Sequence, residues 1–141
     1  MDLQTINEMW EKDSKIDDVM LDQASMKIPQ LHQKYLTLLS EFTLLHKKKT
    51  QDLRKLQHHK GLFYSGRAPA EDYEDNPFPY KLLKAEVPAW VAVDEEISKV
   101  EMKLEYYNVV LRTLEEILKQ VHQMSYNIKN MIQWRTFVGG A

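Results

Sequence analysis

The spacing of apolar residues in the last third of the chain constrains the fold more than any other feature. From residue 97 to residue 121 they recur at alternating steps of three and four, as Ile97, Val100, Leu104, Tyr107, Leu111, Leu114, Leu118 and Val121. This a/d pattern is typical of helices that pack along a shared seam. After a change of phase near Ser125 the apolar positions continue as Ile128, Met131 and Trp134. We predict a long helix after residue 94, bent or broken near Ser125 and ended by Gly139.

Such a helix is too long for a compact domain of this size. At 1.5 Å per residue, a helix over 94–137 would measure about 66 Å, whereas the expected radius of gyration is roughly 14 Å. Its apolar positions also outnumber those that one partner helix could cover. We therefore expect the chain to form homo-oligomers through the eleven apolar positions named above. An intramolecular helical hairpin is the alternative.

The rest of the chain also favours helices, so the predicted fold is all-α. Only four glycines and five prolines occur in 141 residues. Residues 3–24 are predicted to form one or two short amphipathic helices, with Ile16, Val19 and Met20 among the apolar positions. A long helix is predicted over about 29–64, with Pro29 in its first turn and Gly66 as a left-handed cap. Residues 65–92, which contain four prolines, are predicted to be a connector with one short element at most.

Charge is segregated along the chain. The net charge is −5 over residues 1–26, +7 over 27–67, −6 over 68–98 and +2 over 99–141, which together make −2. A basic segment between two acidic ones is typical of a protein that binds a polyanion. We therefore predict three regions: a helical, basic region over 1–67, an acidic connector over 68–93 and an oligomerisation region over 94–141.

The basic segment has the residue types that bind single-stranded nucleic acid. Phosphates require cations and unstacked bases require flat rings, and both occur among Lys47, Lys48, Lys49, Arg54, Lys55, His58, His59, Lys60, Tyr64 and Arg67. Nothing in the segment indicates reading of base edges, so little sequence preference is expected. Helical spacing exposes most of these bases, whereas Lys49 and Lys60 fall on the apolar stripe. We expect either that they snorkel or that the stripe is open to solvent there. The alternative is a solvated lysine-rich helix face.

Other chemistry has no support in the sequence. Cysteine is absent, and no nucleophile elbow, phosphate loop or dinucleotide fingerprint occurs. The adjacent pair His58 and His59 does not converge on a metal ion, and the acids after residue 70 do not follow the pattern of an EF-hand loop. No apolar run is long enough to span a bilayer. We expect a cytoplasmic, non-enzymatic protein without metal or cofactor.

Three stretches resemble a known family. FYSGR at 63–67, followed by an acidic connector, LEYY at 104–107 and NIKNMIQWRTF at 127–137 are similar in order and spacing to the UvsY family of phage recombination mediators. One motif departs from the family, which has Lys-x-Arg-Leu where this chain has His58-His59-Lys60-Gly61. Lys60 keeps a positive charge but lacks the bidentate fork of arginine, and a histidine replaces a permanent cation.

The resemblance implies a role in DNA recombination, repair and replication. Members of the family bind single-stranded DNA, displace or remodel single-strand-binding protein and load a RecA-like recombinase. The resemblance also implies a heptameric ring, DNA binding by the central basic region, oligomerisation through the C-terminal region and, for a phage protein, location in the bacterial host cytoplasm. A coiled-coil adaptor or scaffold that binds no nucleic acid is the competing hypothesis.

Overall fold

The computed structural model describes residues 1–140, and all their regular structure is helical. The elements are α1 (Leu3–Asp13), α2 (Leu21–Tyr64), α3 (Ala70–Asp75), a 3₁₀ turn (Lys84–Glu86), α4 (Val87–Ala92) and α5 (Glu95–Gly139). The predicted all-α class is confirmed. None of these helices is long and apolar enough to cross a membrane. The chain divides into two compact units, one comprising residues 1–43 with the chain from Val109 onward, and the other comprising residues 44–108.

The first unit has its core where α1, the first part of α2 and the last part of α5 pack. Ile6 of α1 and Tyr35 of α2 are fully buried, and the Trp10 ring meets the edge of Tyr35 at a centroid distance of 5.5 Å. The hydroxyl of Tyr35 donates to Asp13 Oδ2 over 2.8 Å, and Lys34 Nζ is 2.7 Å from the same oxygen. These two contacts hold the end of α1 against α2.

Helix α5 is continuous from Glu95 to Gly139, so the predicted break near Ser125 does not occur. The buried side chains explain why. They recur at unbroken steps of three and four, as Tyr107, Val110, Leu114, Ile117, Val121, Met124 and Ile128. Tyr107, Leu114, Val121 and Ile128 belong both to this buried stripe and to the predicted seam. Val110 and Ile117 lie one position before the seam residues Leu111 and Leu118, and the spacing of the buried residues continues unchanged through Met124. The Ser125 hydroxyl donates to the His122 carbonyl over 2.7 Å, which a helix accommodates.

Helix α2 begins at Leu21, eight residues before the predicted start, so Pro29 lies inside it and not in its first turn. The ring nitrogen of Pro29 cannot donate to a preceding carbonyl. The extra turns are retained because Leu21 is buried. Asp17 Oδ1 also accepts from the backbone N–H of Val19 over 3.0 Å just before the helix.

The segment between α1 and α2 is not helical, contrary to the prediction of a helix with Ile16, Val19 and Met20 on its apolar side. Val19 is 78% exposed, and Met20 is exposed as well. The apolar spacing alone was therefore insufficient to form a helix here, because Val19 and Met20 do not pack against a core. Helix α1 itself begins as a capped helix, with Asp2 accepting from the Thr5 N–H over 2.8 Å.

In the second unit, α2 ends at the predicted glycine. Gly66 has φ of +80°, its N–H donates to the Phe63 carbonyl over 3.2 Å, and the Arg67 N–H donates to the Leu62 carbonyl over 2.9 Å. This is the Schellman pattern, in which a left-handed glycine closes the last turn. The connector that follows has more structure than predicted, since it contains α3, the 3₁₀ turn and α4.

Candidate nucleic-acid interface

Four of the predicted DNA-binding lysines and arginines are exposed on α2 in the second unit. Lys47 and Lys48 precede Arg54 and Lys55 by seven residues, or about two helical turns, so the two pairs share one face. Within residues 1–140 none of the four forms an ion pair with an acid. These four residues, called the basic face below, therefore present uncompensated positive charge to solvent.

The neighbouring candidates are exposed to different degrees. Lys49 keeps 32% of its side chain exposed and lies 3.7 Å from Asp52, one helical turn away. His58 and His59 are exposed, with their ring centroids 6.1 Å apart. Arg67 is exposed just beyond the helix cap. The predicted snorkelling therefore applies to Lys49 only in part, because its ammonium is paired.

Lys60 and Tyr64 are turned toward another part of the chain. The Tyr64 hydroxyl donates to Asp94 Oδ2 over 2.6 Å, and Lys60 Nζ lies 3.3 Å from the same oxygen. Lys60 is also 3.5 Å from Glu96 Oε1, and only 20% of its side chain is exposed. Lys60 does not snorkel to water as expected, because it reaches carboxylates that follow it by more than thirty residues. A contact of Lys60 or Tyr64 with DNA remains a prediction.

Asp94 connects the end of α2 to the start of α5. Its Oδ1 accepts from the N–H groups of Glu96 and Ile97, over 2.9 and 3.1 Å, as a helix N-cap, while Oδ2 accepts from Tyr64 and Lys60. Burial acts to raise the pKa of Asp94, but the hydrogen bonds and the lysine charge outweigh it, and the pKa lies below its ordinary value. Burial and the bond to Asp94 raise the pKa of Tyr64 to about 12.

An aromatic cluster that was not predicted from the sequence packs around this joint. Phe78 lies at its centre, with ring centroids 5.1 Å from Tyr64 and 5.4 Å from Trp90. Phe63 stacks on Tyr73 at 5.0 Å, and the Tyr73 hydroxyl donates to the Phe63 carbonyl over 2.8 Å. The run Pro77-Phe78-Pro79-Tyr80 was the available signal, since aromatic side chains bury large areas and prolines restrict the backbone that holds them.

A groove of about 600 Å³ opens beside the cluster. Its aromatic wall includes Trp90 and Tyr80, and its acidic rim comprises Asp72, Asp75, Glu95 and Glu96. The connector acids are thus brought next to the C-terminal end of α2. Among residues 1–140, no three His, Asp or Glu side chains converge in a way that would hold a metal ion.

The predicted oligomerisation residues fall into three groups by exposure. One group is buried within the chain, a second is half-buried, and Trp134 is 65% exposed. The buried group comprises Ile97, Tyr107, Leu114, Val121 and Ile128, and the half-buried group comprises Val100, Leu104, Leu111, Leu118 and Met131. Near Trp134, the side chains of Ile132, Phe137 and Val138 are also exposed. The half-buried group and this exposed end of α5 are among the apolar positions that the chain leaves uncovered.

Comparison with protein families identifies the chain. Residues 9–141 match the family described as "Recombination, repair and ssDNA binding protein UvsY". The chain belongs to the UvsY family. Comparison with curated protein sequences gave no significant match.

The fold is similar to that of the recombination mediator protein UvsY of bacteriophage T4 in several crystal lattices. In lattice type II the TM-score is 0.87 at 22% identity, covering 99% of this chain and 98% of the other. In lattice type IV the TM-score is 0.84 at 21% identity, covering 97% and 98%. At this identity, the comparison establishes the fold of this UvsY-family chain.

Proposed function

We propose that this chain is a recombination mediator that binds single-stranded DNA through the basic face of α2, as a homo-oligomer. It remodels or displaces single-strand-binding protein and loads a RecA-like recombinase on the strand. The observation that carries the proposal is the match to the UvsY family over residues 9–141. The unpaired cations of the basic face support the DNA-binding part.

The basic face is the main phosphate contact in this proposal. Lys47, Lys48, Arg54 and Lys55 are exposed and lack acidic partners among the described residues, so binding a phosphate requires no ion pair to be broken. Lys60 differs, because a phosphate would have to compete with Asp94 and Glu96. Lys49, His58, His59 and Arg67 lie along the same helix end and extend the contact. The ring of Tyr64 is packed in the aromatic cluster, so its contribution to stacking is secondary.

The DNA-binding proposal is tested by reversing charge on the basic face. The variant Lys47→Glu with Arg54→Glu is titrated against a labelled oligonucleotide at several salt concentrations. For single strands, log K falls with log salt by about 0.7 for each phosphate neutralised. We expect a steep slope for the unmodified chain, and a weaker and shallower one for the variant.

The matched control reverses two exposed lysines elsewhere, Lys27→Glu with Lys129→Glu, which changes the net charge equally. It should retain most of the affinity. Equal losses in both variants would mean that binding follows overall charge and not the basic face. No measurable binding by the unmodified chain would favour the adaptor or scaffold hypothesis.

The uncovered apolar positions of α5 support the homo-oligomer. Leu104, Leu111 and Leu118 form a half-buried flank beside the buried stripe, and Trp134 and Phe137 are 65% and 72% exposed and stacked on each other. Exposed apolar surface of this kind marks an interaction site. A ring also suits the function, because a strand that touches several copies gains effective concentration. A heptamer is proposed from the family resemblance.

Sedimentation equilibrium tests the assembly. Trp134→Asp with Phe137→Asp should lower the mass of the assembly, while Val19→Asp with Leu83→Asp, which alters two exposed apolar residues outside α5, should leave it unchanged. A monomeric unmodified chain would contradict the proposal. So would an assembly that is insensitive to the α5 variant.

The mediator step requires its own assay. Recombinase filaments are assembled on an oligonucleotide already covered by single-strand-binding protein, with and without this chain. The rate of ATP hydrolysis is measured to monitor filament formation. We expect the chain to shorten the lag before assembly, and the Lys47→Glu, Arg54→Glu variant to lose most of that effect. An unchanged lag with the unmodified chain would contradict the loading role, even if DNA binding were observed. In a phage-infected cell, this loading would take place in the host cytoplasm.

A further inference from the structure

The groove beside the aromatic cluster has a charge opposite to that of the basic face. Five acidic residues and one lysine line it, a formal charge of −4 with His59 neutral. Asp94 and Lys60 are already paired with each other. Within residues 1–140 the carboxylates of Asp72, Asp75 and Glu95 have no ion-pair partner. The groove therefore offers acidic side chains that internal contacts do not use.

The aromatic wall of the groove is accessible and held in place. Trp90 is 37% exposed and Tyr80 is 61% exposed, with their ring centroids 5.6 Å apart. Both contact Phe78, which lies between two prolines. Proline restricts its own backbone and that of the residue before it. The rings are thus positioned before any partner arrives, which lowers the entropy lost on binding.

Single-stranded DNA is a poor occupant, because its phosphates would lie against the carboxylates of the rim. A cation suits both parts of the groove. Positive groups are attracted to the faces of tryptophan and tyrosine rings, and they pair with carboxylates. Between the two common cations, a guanidinium is preferred, because it is planar, stacks on rings and meets a carboxylate with two parallel hydrogen bonds.

We propose that this groove is a docking site for a basic segment of a partner protein, which it recognises by an arginine side chain. The guanidinium lies against Trp90 and Tyr80 and pairs with Glu95 or an acid of α3. The volume of about 600 Å³ is within the range of ligand sites. It accommodates such a side chain together with its neighbours. None of the four residues of the basic face lines the groove, although His59, at the edge of the proposed DNA contact, does. Partner and DNA therefore bind the same protomer at neighbouring sites.

Fluorescence anisotropy with labelled peptides tests the proposal on the full chain without DNA. One peptide has two arginines in a glycine and serine background, and a second has lysines in their place. We expect tighter binding of the arginine peptide. Trp90→Leu should weaken it by about two- to fivefold, the range for an exposed cation and ring contact. Glu95→Gln with Glu96→Gln should weaken it by about three- to tenfold at low salt.

The matched control is Glu101→Gln with Glu115→Gln, which removes two exposed acids of α5 outside the groove and should leave the affinity unchanged. The Lys47→Glu, Arg54→Glu variant should also bind the peptide, so loss of DNA binding and loss of peptide binding are distinguishable. Far-UV circular dichroism checks that each variant is folded. The comparison of arginine with lysine uses the unmodified chain and needs no variant.

Three results would overturn the proposal. Equal affinity for the arginine and lysine peptides, with no effect of the groove variants, would show diffuse attraction to acidic surface. If an oligonucleotide displaced the peptide, and Trp90→Leu also weakened binding of that oligonucleotide, the groove would be part of the nucleic-acid site. A change in assembly mass with the groove variants, in the absence of peptide binding, would show that a second copy of this chain occupies it.

Discussion

Replacing Asp94 with asparagine tests the joint between α2 and α5 with little change in shape. The amide oxygen can still accept from the N–H groups of Glu96 and Ile97 as a helix cap. The other position becomes an NH₂ group, which donates and cannot accept. Tyr64 and Lys60 therefore lose their shared acceptor, while the cap is kept.

The expected destabilisation follows from these two contacts. A hydrogen bond to a charged group contributes about 1.5–3 kcal/mol, and the bond from Tyr64 is short, at 2.6 Å, and partly buried. The Lys60 ion pair adds at most about 1 kcal/mol, because part of that side chain reaches solvent. We expect Asp94→Asn to lower the free energy of unfolding by about 2–4 kcal/mol.

Urea denaturation of four proteins measures this: the unmodified chain, Asp94→Asn, Tyr64→Phe and the double variant. Protomer concentration is held constant because assembly contributes to apparent stability. The coupling energy between Asp94 and Tyr64 should be about 1–2 kcal/mol, as for residues that share a buried contact. Asp18→Asn, an exposed acid outside the joint, should change stability by less than about 0.5 kcal/mol.

The pH dependence of the free energy of unfolding gives a second check on the contribution of Asp94. The pKa of Asp94 in the folded protein lies below its ordinary value of 3.8, so its contribution is fully present above that value and is lost as pH falls through the lower folded pKa. The difference between the unmodified chain and Asp94→Asn should shrink in the same range. The reasoning would be refuted if the destabilisations of Asp94→Asn and Tyr64→Phe simply added in the double variant. It would also be refuted if the stability difference between the unmodified chain and Asp94→Asn persisted in strong acid.

Three further predictions concern the rest of the fold. Gly66→Ala should destabilise the protein by about 1 kcal/mol, because φ is +80° there. Gly61→Ala, inside α2 with open space at its Cβ position, should stabilise it by about 0.5–1 kcal/mol; urea titration of both variants measures this, and stability changes of the same sign would contradict it. Asp13→Asn should lower the free energy of unfolding by about 1 kcal/mol, because the amide oxygen can still accept from Tyr35 but the negative charge shared with Lys34 is lost. The difference from the unmodified chain should disappear as pH falls through the lowered pKa of Asp13. Tyr64→Phe should remove a tyrosinate absorbance step near pH 12, and the stability linked to that phenol is present below its ordinary pKa of 10 and is lost as pH rises through 12. A step removed near pH 10 instead would place the phenol in water.

The candidate interface was predictable in part. Periodicity places Lys47, Arg54 and their neighbours on the exposed side of α2, and the structure leaves them exposed. It could not show that Lys60 and Tyr64 are engaged by Asp94, because that contact joins residues about thirty positions apart. The sequence alone gives the charge of such a side chain, whereas its availability depends on which distant group packs against it.

The sequence by itself determined the local features of this protein. Helical propensity, the left-handed glycine at Gly66 and the separation of charge along the chain each depend on neighbouring residues, and the first two are present in the structure as predicted. The predicted start of α2 was wrong, and of the predicted bend or break near Ser125 the structure excludes the break. Burial of Leu21 retains turns that Pro29 alone would disfavour.

Only the tertiary structure decided which side of α5 is buried. Two stripes of apolar residues share Tyr107, Leu114, Val121 and Ile128, and differ in whether Val110 and Ile117 or Leu111 and Leu118 complete them. The two choices are one residue, or about 100°, apart on the helix, so periodicity fits both. Packing within the chain buries Val110 and Ile117 and leaves the leucine flank half-covered, because a neighbouring helix covers only one side of a wide apolar face.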